Sequence, residues 1–304
     1  MSTAAAQPFV RHVSILILLS VGVIFASAHI SARISFDNGT GLLTAILVRS
    51  FASLALLSIL AILYKQSLKL SWQLAPWQLL LGLLIAIQSI CIYSAVSRIP
   101  VGIALLAVNT FPIQMALLSW LLGGKAPTKA RAALMALTLF GLLLALDIPA
   151  LIQSDQTNIQ LWVIGIGSAL LAAFTFALGM WVTEYKLSEV KGSARSFYTM
   201  LTVLIVTMVA GSVDVFPGGL TLPENTTGYV ALILLSSLYA FGFTLLFMLA
   251  PRLNLAQNAT AINIEPVASL ALGWLILGQQ LSLIQLIGGA VVISCILAFS
   301  QLKK

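Results

Sequence analysis

Long stretches of the chain carry almost no charge. Ten of them, at Ser14–Ile34, Gly41–Tyr64, Leu74–Val96, Val101–Leu122, Ala130–Leu146, Gln160–Thr183, Ser196–Val215, Gly228–Ala250, Leu255–Leu277 and Leu283–Ser300, follow one another with only short polar or turn-forming separators. Each is close to the length at which a helix, rising 1.5 Å per residue, crosses about 30 Å of hydrocarbon. Helices are predicted rather than barrel strands. The runs do not alternate polar and apolar positions, and a lone spanning segment must satisfy its own backbone hydrogen bonds. Turn chemistry marks the boundaries at Asp37-Asn38-Gly39, Gly123-Gly124-Lys125-Ala126-Pro127, Phe216-Pro217-Gly218-Gly219 and Pro223-Glu224-Asn225. The breaks Arg98-Ile99-Pro100 and Arg252-Leu253-Asn254 are so short that the spans flanking them must form tight hairpins. The predicted fold class is an all-α integral membrane protein with ten transmembrane helices.

Composition strengthens that reading. Apolar residues make up 60% of the 304 positions and charged residues only 8%, with a mean hydropathy of +1.08. A water-soluble domain carries roughly a quarter charged residues, so this chain could not clothe a surface in water. Ten spans use most of the length and leave no room for a separate soluble domain. Cys91 and Cys295 both lie inside apolar runs and read as small hydrophobic side chains.

The net charge of +7 does not point to nucleic acid, because the basic residues stand singly or in pairs between apolar runs. They sort instead by side. If the N-terminus is inside, Arg11, Lys65, Lys69, Lys125, Lys129, Arg131, Lys186, Lys191, Arg195, Arg252, Lys303 and Lys304 all fall inside, Arg33 and Arg98 fall outside, and Arg49 lies within a span. That asymmetry predicts cytoplasmic N- and C-termini in a cell (inner) membrane. Arg11, the run Ile15–Ile24 and Ala26-Ser27-Ala28 mimic a cleavable signal peptide, but the apolar character continues past the supposed cut. Asn38-Gly39-Thr40 and Asn225-Thr226-Thr227 match the glycosylation sequon, a pattern that arises often by chance in such loops.

The chain also repeats itself. At a shift of 154 positions, Tyr93–Gly124 meets Phe247–Gly278 without a gap, setting Arg98 on Arg252, Asn109 on Asn263, Pro112 on Pro266, Trp120 on Trp274 and Gly124 on Gly278. At a shift of 146, Arg49-Ser50-Phe51 meets Arg195-Ser196-Phe197. Two five-helix units follow, residues 1–150 and 151–304. Because five is odd, consecutive units must enter the membrane from opposite faces. The side assignment agrees independently, with Arg98 outside and Arg252 inside. Two inverted five-helix repeats related by an axis in the membrane plane can close one face while opening the other, which is the physical basis of alternating access.

The stretch Ile262-Asn263-Ile264-Glu265-Pro266-Val267 through Leu275-Ile276-Leu277-Gly278, followed by Gln285-Leu286-Ile287-Gly288-Gly289, resembles the ninth and tenth helices of the EamA branch of the drug/metabolite transporter superfamily. The resemblance implies ten helices in two EamA-like repeats and a secondary transporter. Its substrate would be an amino acid or related small polar metabolite, with export rather than uptake. One departure is Gln279, with Lys125 at the equivalent place of the first repeat, where the family often has glutamate after the Leu-Gly pair.

No metal-ligand spacing, phosphate-binding loop or nucleophile constellation occurs, so neither a cofactor nor a metal is expected, and the protein reads as a non-enzyme. Candidate chemistry rests on polar groups at membrane depth, which hydrocarbon tolerates poorly. Glu265 stands about ten residues into the ninth run, beside Pro266; it reads as a substrate-amine contact or proton-coupling site, or as a neutral acid hydrogen-bonded to another helix. His29 could titrate or merely pack. Asn109 and Asn263, each three residues before a proline, suit a shared cavity lining or interhelical hydrogen bonds. Gln88 and Gln114 belong to the same class. Arg49 is expected to snorkel to an interface, with anion recognition as the alternative. Tyr93, Trp181, Tyr198 and Tyr239 could enclose a substrate, whereas Trp72, Trp77 and Trp162 fit an interfacial belt. The expected partners are a small-molecule substrate and the lipid bilayer, for a monomer or homodimer. A membrane-embedded enzyme acting on lipid would need clustered acid, base or metal ligands. A receptor or assembly subunit would leave the inverted duplication without a purpose.

Overall fold

The computed structural model describes residues 9–123, 128–146, 159–212, 219–253, 264–278 and 282–301. Within them run α1 (Arg11–Asp37), α2 (Leu42–Leu63), α3 (Ala75–Val96), α4 (Val101–Val108), α5 (Phe111–Leu121), α6 (Lys129–Leu146), α7 (Ile159–Tyr185), α8 (Gly192–Ser212), α9 (Thr226–Leu253), α10 (Ile264–Leu277) and α11 (Leu283–Gln301). Among the described residues each expected run carries one helix except the fourth, which α4 and α5 share. The break falls at Asn109-Thr110, where Pro112 enters the first turn of α5 and has no N–H to give to a preceding turn. The Asn109 side chain caps the end of α4 by donating to Leu105 O at 2.8 Å.

Serine and threonine are carried through the apolar helices by bonding back to their own backbone. Ser27, Ser53, Ser89, Thr199 and Thr207 each donate to the carbonyl four residues earlier, at 2.6–2.9 Å. A hydroxyl satisfied in this way no longer demands water or a partner helix. Outward-facing positions are large and apolar, among them Leu16, Phe51, Ile62, Val163, Ile233 and Leu286. An apolar exterior over a core that buries Arg49, His29 and Gln78 fits hydrocarbon as the surrounding solvent.

The packing of the two halves is reciprocal. In the main pairings, α1 lies against α9 as α7 lies against α3, and α2 against α9 as α8 against α3; α1 meets α10 as α7 meets α4 and α5. The pairs α2–α8, α4–α10 and α6–α11 sit on the relating axis. Direction settles the inversion. Ser35 of α1 reaches Gly228 of α9, while Phe25 reaches Gly242 farther along, so α1 and α9 are antiparallel. Ile99 beside Gly165 and Leu81 beside Gly179 make α3 and α7 antiparallel as well. Repeats inserted the same way would pair these helices in parallel.

Both ends are tied across the repeats. At one end, Glu224 N donates to Asn38 O at 2.9 Å, Gly41 N to Thr221 O at 3.0 Å, and Asn225 Nδ2 to Asn38 Oδ1 at 2.7 Å. Gly39 turns there at φ +88° with the Glu224 side chain against it, a place with neither conformational nor steric room for a side chain. At the other end, Tyr198 donates to Leu68 O at 3.0 Å, and Gln78 Nε2 to Thr199 Oγ1 at 2.9 Å and Arg195 O at 3.2 Å.

Candidate functional site

Five of the nine candidate residues converge on one buried cluster. Arg49 is the eighth residue of α2, about 10 Å in from the start of that helix. It is only 1% exposed. Its guanidinium carbon lies 3.8 Å from the ring centroid of Tyr239 on α9 and 4.6 Å from that of Tyr93 on α3. One amino group donates to Ser89 Oγ. The expected snorkelling is therefore corrected: two ring faces and a hydroxyl hold the cation inside the protein, and cation–π attraction strengthens where water is absent.

His29 of α1 stands edge-on to Tyr93, with ring centroids 6.0 Å apart. Its Nε2 lies 3.4 Å from Oε1 of Glu265, in the first turn of α10. Histidine and carboxylate lie at ion-pair distance, both less than one-tenth exposed. Phe36 packs edge-on against Tyr93 at 5.7 Å, and Phe25 and Phe243 flank Tyr239 at 5.8 and 5.9 Å. An aromatic jacket of this kind keeps water from the charged groups and raises the strength of every electrostatic contact inside it.

The cluster leaves hydrogen-bonding capacity unused. Arg49 Nε, the Tyr93 hydroxyl and His29 Nδ1 are buried without a hydrogen-bond partner among the described residues. Protein interiors leave few polar groups unpaired, and here Arg195 Nε and Gln78 Oε1 are unpaired outside the cluster as well. Among the described residues, no three of the His, Cys, Asp and Glu side chains are grouped so as to hold a metal ion.

The other candidates lie elsewhere. Asn109 is buried at the α4–α5 break, its amide spent on its own helix and its Oδ1 without a partner among the described residues. Asn263 lies outside the described residues. Gln88 is half-buried on α3, next to Ser89. Trp181 packs with other aromatic residues, apart from the Arg49 contacts. It stacks on Tyr185 at 5.4 Å, and Lys186 lies over both Trp181 and Trp77. Trp77 is sixteen residues before Tyr93, about 24 Å along α3, so this aromatic group frames the far end of the bundle.

Sequence reasoning missed Ser89, the three phenylalanines and Gln78. A serine or phenylalanine inside an apolar run gives no local sign of what it faces. Gln78, 2% exposed, did carry a signal as an amide near the start of a span.

Comparison with known proteins agrees with this architecture. A sequence model of the EamA-like transporter family matches residues 12–146 and 163–301. A chloroplastic WAT1-related protein of Arabidopsis thaliana is 27% identical over 205 residues, 66% of this chain and 48% of that protein. An uncharacterized transporter of Synechocystis is 28% identical over 224 residues, 72% of this chain and 63% of that protein. The chain thus spans less than two thirds of either relative. One crystal structure superposes with a TM-score of 0.65 over 96% of this chain and 98% of that one, at 16% identity, which speaks to the fold alone.

Proposed function

Because this chain belongs to the EamA-like transporter family and is a multi-pass membrane transporter, we propose that it is a secondary exporter of small polar metabolites such as amino acids, working by alternating access between its inverted repeats. The observation that carries this reading is the position of the Arg49–His29–Glu265–tyrosine cluster. Its residues come from α1, α2 and α3 of the first repeat and from α9 and α10 of the second. A group bound there touches both repeats, so rocking one repeat against the other changes which face the group meets. We place the chain in a cell (inner) membrane with both termini cytoplasmic, on the distribution of lysine and arginine. The repeats are taken as residues 1–150 and 151–304.

Within this scheme the His29–Glu265 pair is the coupling element. The two titratable side chains lie 3.4 Å apart in a dry interior, where a substrate amine or a proton competes for the Glu265 carboxyl. Flux measured in proteoliposomes across imposed pH gradients tests this directly. Wild type responds to the gradient, whereas Glu265→Gln, which keeps the shape and removes the titration, moves substrate at a rate independent of it. An unchanged gradient response in Glu265→Gln removes the carboxylate from coupling.

A further inference from the structure

We infer that Arg49 is the anchor for a carboxylate group of the transported molecule, which makes this an organic-acid or amino-acid carrier and not one for neutral or purely cationic solutes. The inference rests on the cluster being the transport site, and it deepens that reading by naming the chemistry recognised.

Arg49 and Arg195 begin the same Arg-Ser-Phe triplet in the two repeats. Arg195 donates to two backbone carbonyls of its own repeat, Leu187 O at 3.3 Å and Val190 O at 3.5 Å, although its Nε has no partner among the described residues. Among the described residues Arg49 has no carbonyl acceptor of this kind. It is a cation at 1% exposure whose partners are two aromatic rings and a serine, all neutral. The carboxylate of the cluster, Glu265, is engaged by His29, and among the described residues no acid lies at ion-pair distance from Arg49. A buried guanidinium without an anion carries a desolvation cost that neutral ring and hydroxyl contacts offset only in part. Retaining it makes sense where an anion arrives as ligand.

Geometry narrows that anion. Tyr93 and Tyr239 lie over the guanidinium and Ser89 accepts from one amino group, while Nε has no hydrogen-bond partner among the described residues. The rim of a guanidinium presents paired, coplanar N–H groups, the match for a two-oxygen carboxylate. The Tyr93 hydroxyl, also unpartnered, supplies a further donor close by. For an amino acid, the ammonium group would then fall to the His29–Glu265 side.

The test uses proteoliposomes of the full chain, loaded with a mixture of protein amino acids, simple mono- and dicarboxylates and the carboxamide of each. Efflux is read by mass spectrometry for wild type, Arg49→Gln and Arg49→Lys, with thermal unfolding as the check on folding. Wild type should release acids in preference to their amides. Arg49→Gln should lose that preference and raise KM for acids by about a hundredfold. Arg49→Lys should not restore it, since a lysine ammonium lacks the planar fork. If Arg49→Gln fails to fold, Tyr93→Phe, which removes one donor, should raise KM for acids alone, and the acid-over-amide preference of wild type still decides the matter. Wild type moving amides as well as acids, or a folded Arg49→Gln or Tyr93→Phe with an unaltered KM for acids, overturns the carboxylate anchor while transport itself stands. Release of nothing by wild type overturns the transport reading and this inference with it.

Discussion

Arg195 holds the loop after α7 through Leu187 O and Val190 O, so its duty is to the fold. Replacing it with alanine strips two backbone carbonyls of a charged donor and should lower stability by about 1.5–3 kcal/mol, read as a drop in thermal unfolding temperature of the purified protein. The acid-over-amide preference of the folded fraction should stay as in wild type. A change of preference without a loss of stability would put Arg195 in the transport site instead. The two arginines also show how far residue-level reading carried. Glu265, His29, Tyr93 and Tyr239 were legible because a polar or amphipathic group in an apolar run stands out against its neighbours. The depth of Arg49 was not, because its repeat partner sits four residues into a helix and suggested a shallow place for both. Which rings cover a cation is decided by helices far apart in sequence, and Tyr93 and Tyr239 are brought to Arg49 only by the packing of α2 against α9 and of α3 nearby.

At the level of elements, the hydropathy pattern located the run of every described helix, because length and apolar character are dictated by hydrocarbon thickness and by the backbone's need to bond internally. It did not locate the division between α4 and α5. Pro112 signalled a weakness, yet whether proline bends a helix or ends it depends on what caps the freed groups, here the amide of Asn109 and the Thr110 hydroxyl donating to Ala107 O at 2.8 Å. Helix contact is closest where glycine faces a branched side chain. A Cβ on Gly82 of α3 would run into Thr202 of α8 at its own Cβ, a rigid point that cannot swing aside. Gly82→Val should therefore force α3 and α8 apart and cost about 1–3 kcal/mol, visible in thermal unfolding of the purified protein. A variant as stable as wild type would mean that this helix pair yields more freely than its close approach implies.

Across the whole molecule, each five-helix unit packs largely on the other, α1 and α2 on α9 and α7 and α8 on α3, so neither repeat is a free-standing half. The duplication was legible in the aligned Arg, Asn, Pro and Trp positions, and the inversion followed from an odd number of spans. The interleaving was not legible, since a sequence alignment says which helices correspond and not which ones touch. On the proposed alternating access, the Arg49 cluster would meet either side by a parting of the repeats at one end at a time. The end joined by Asn38 and Asn225, 2.7 Å apart at their amides, is the tie that this proposal requires to part. The most direct test is to place cysteines at both positions in a background lacking Cys91 and Cys295, close the disulfide, and follow substrate flux in proteoliposomes. Flux should stop on oxidation and return on reduction, and undiminished transport by the fully cross-linked protein would contradict alternating access between the repeats.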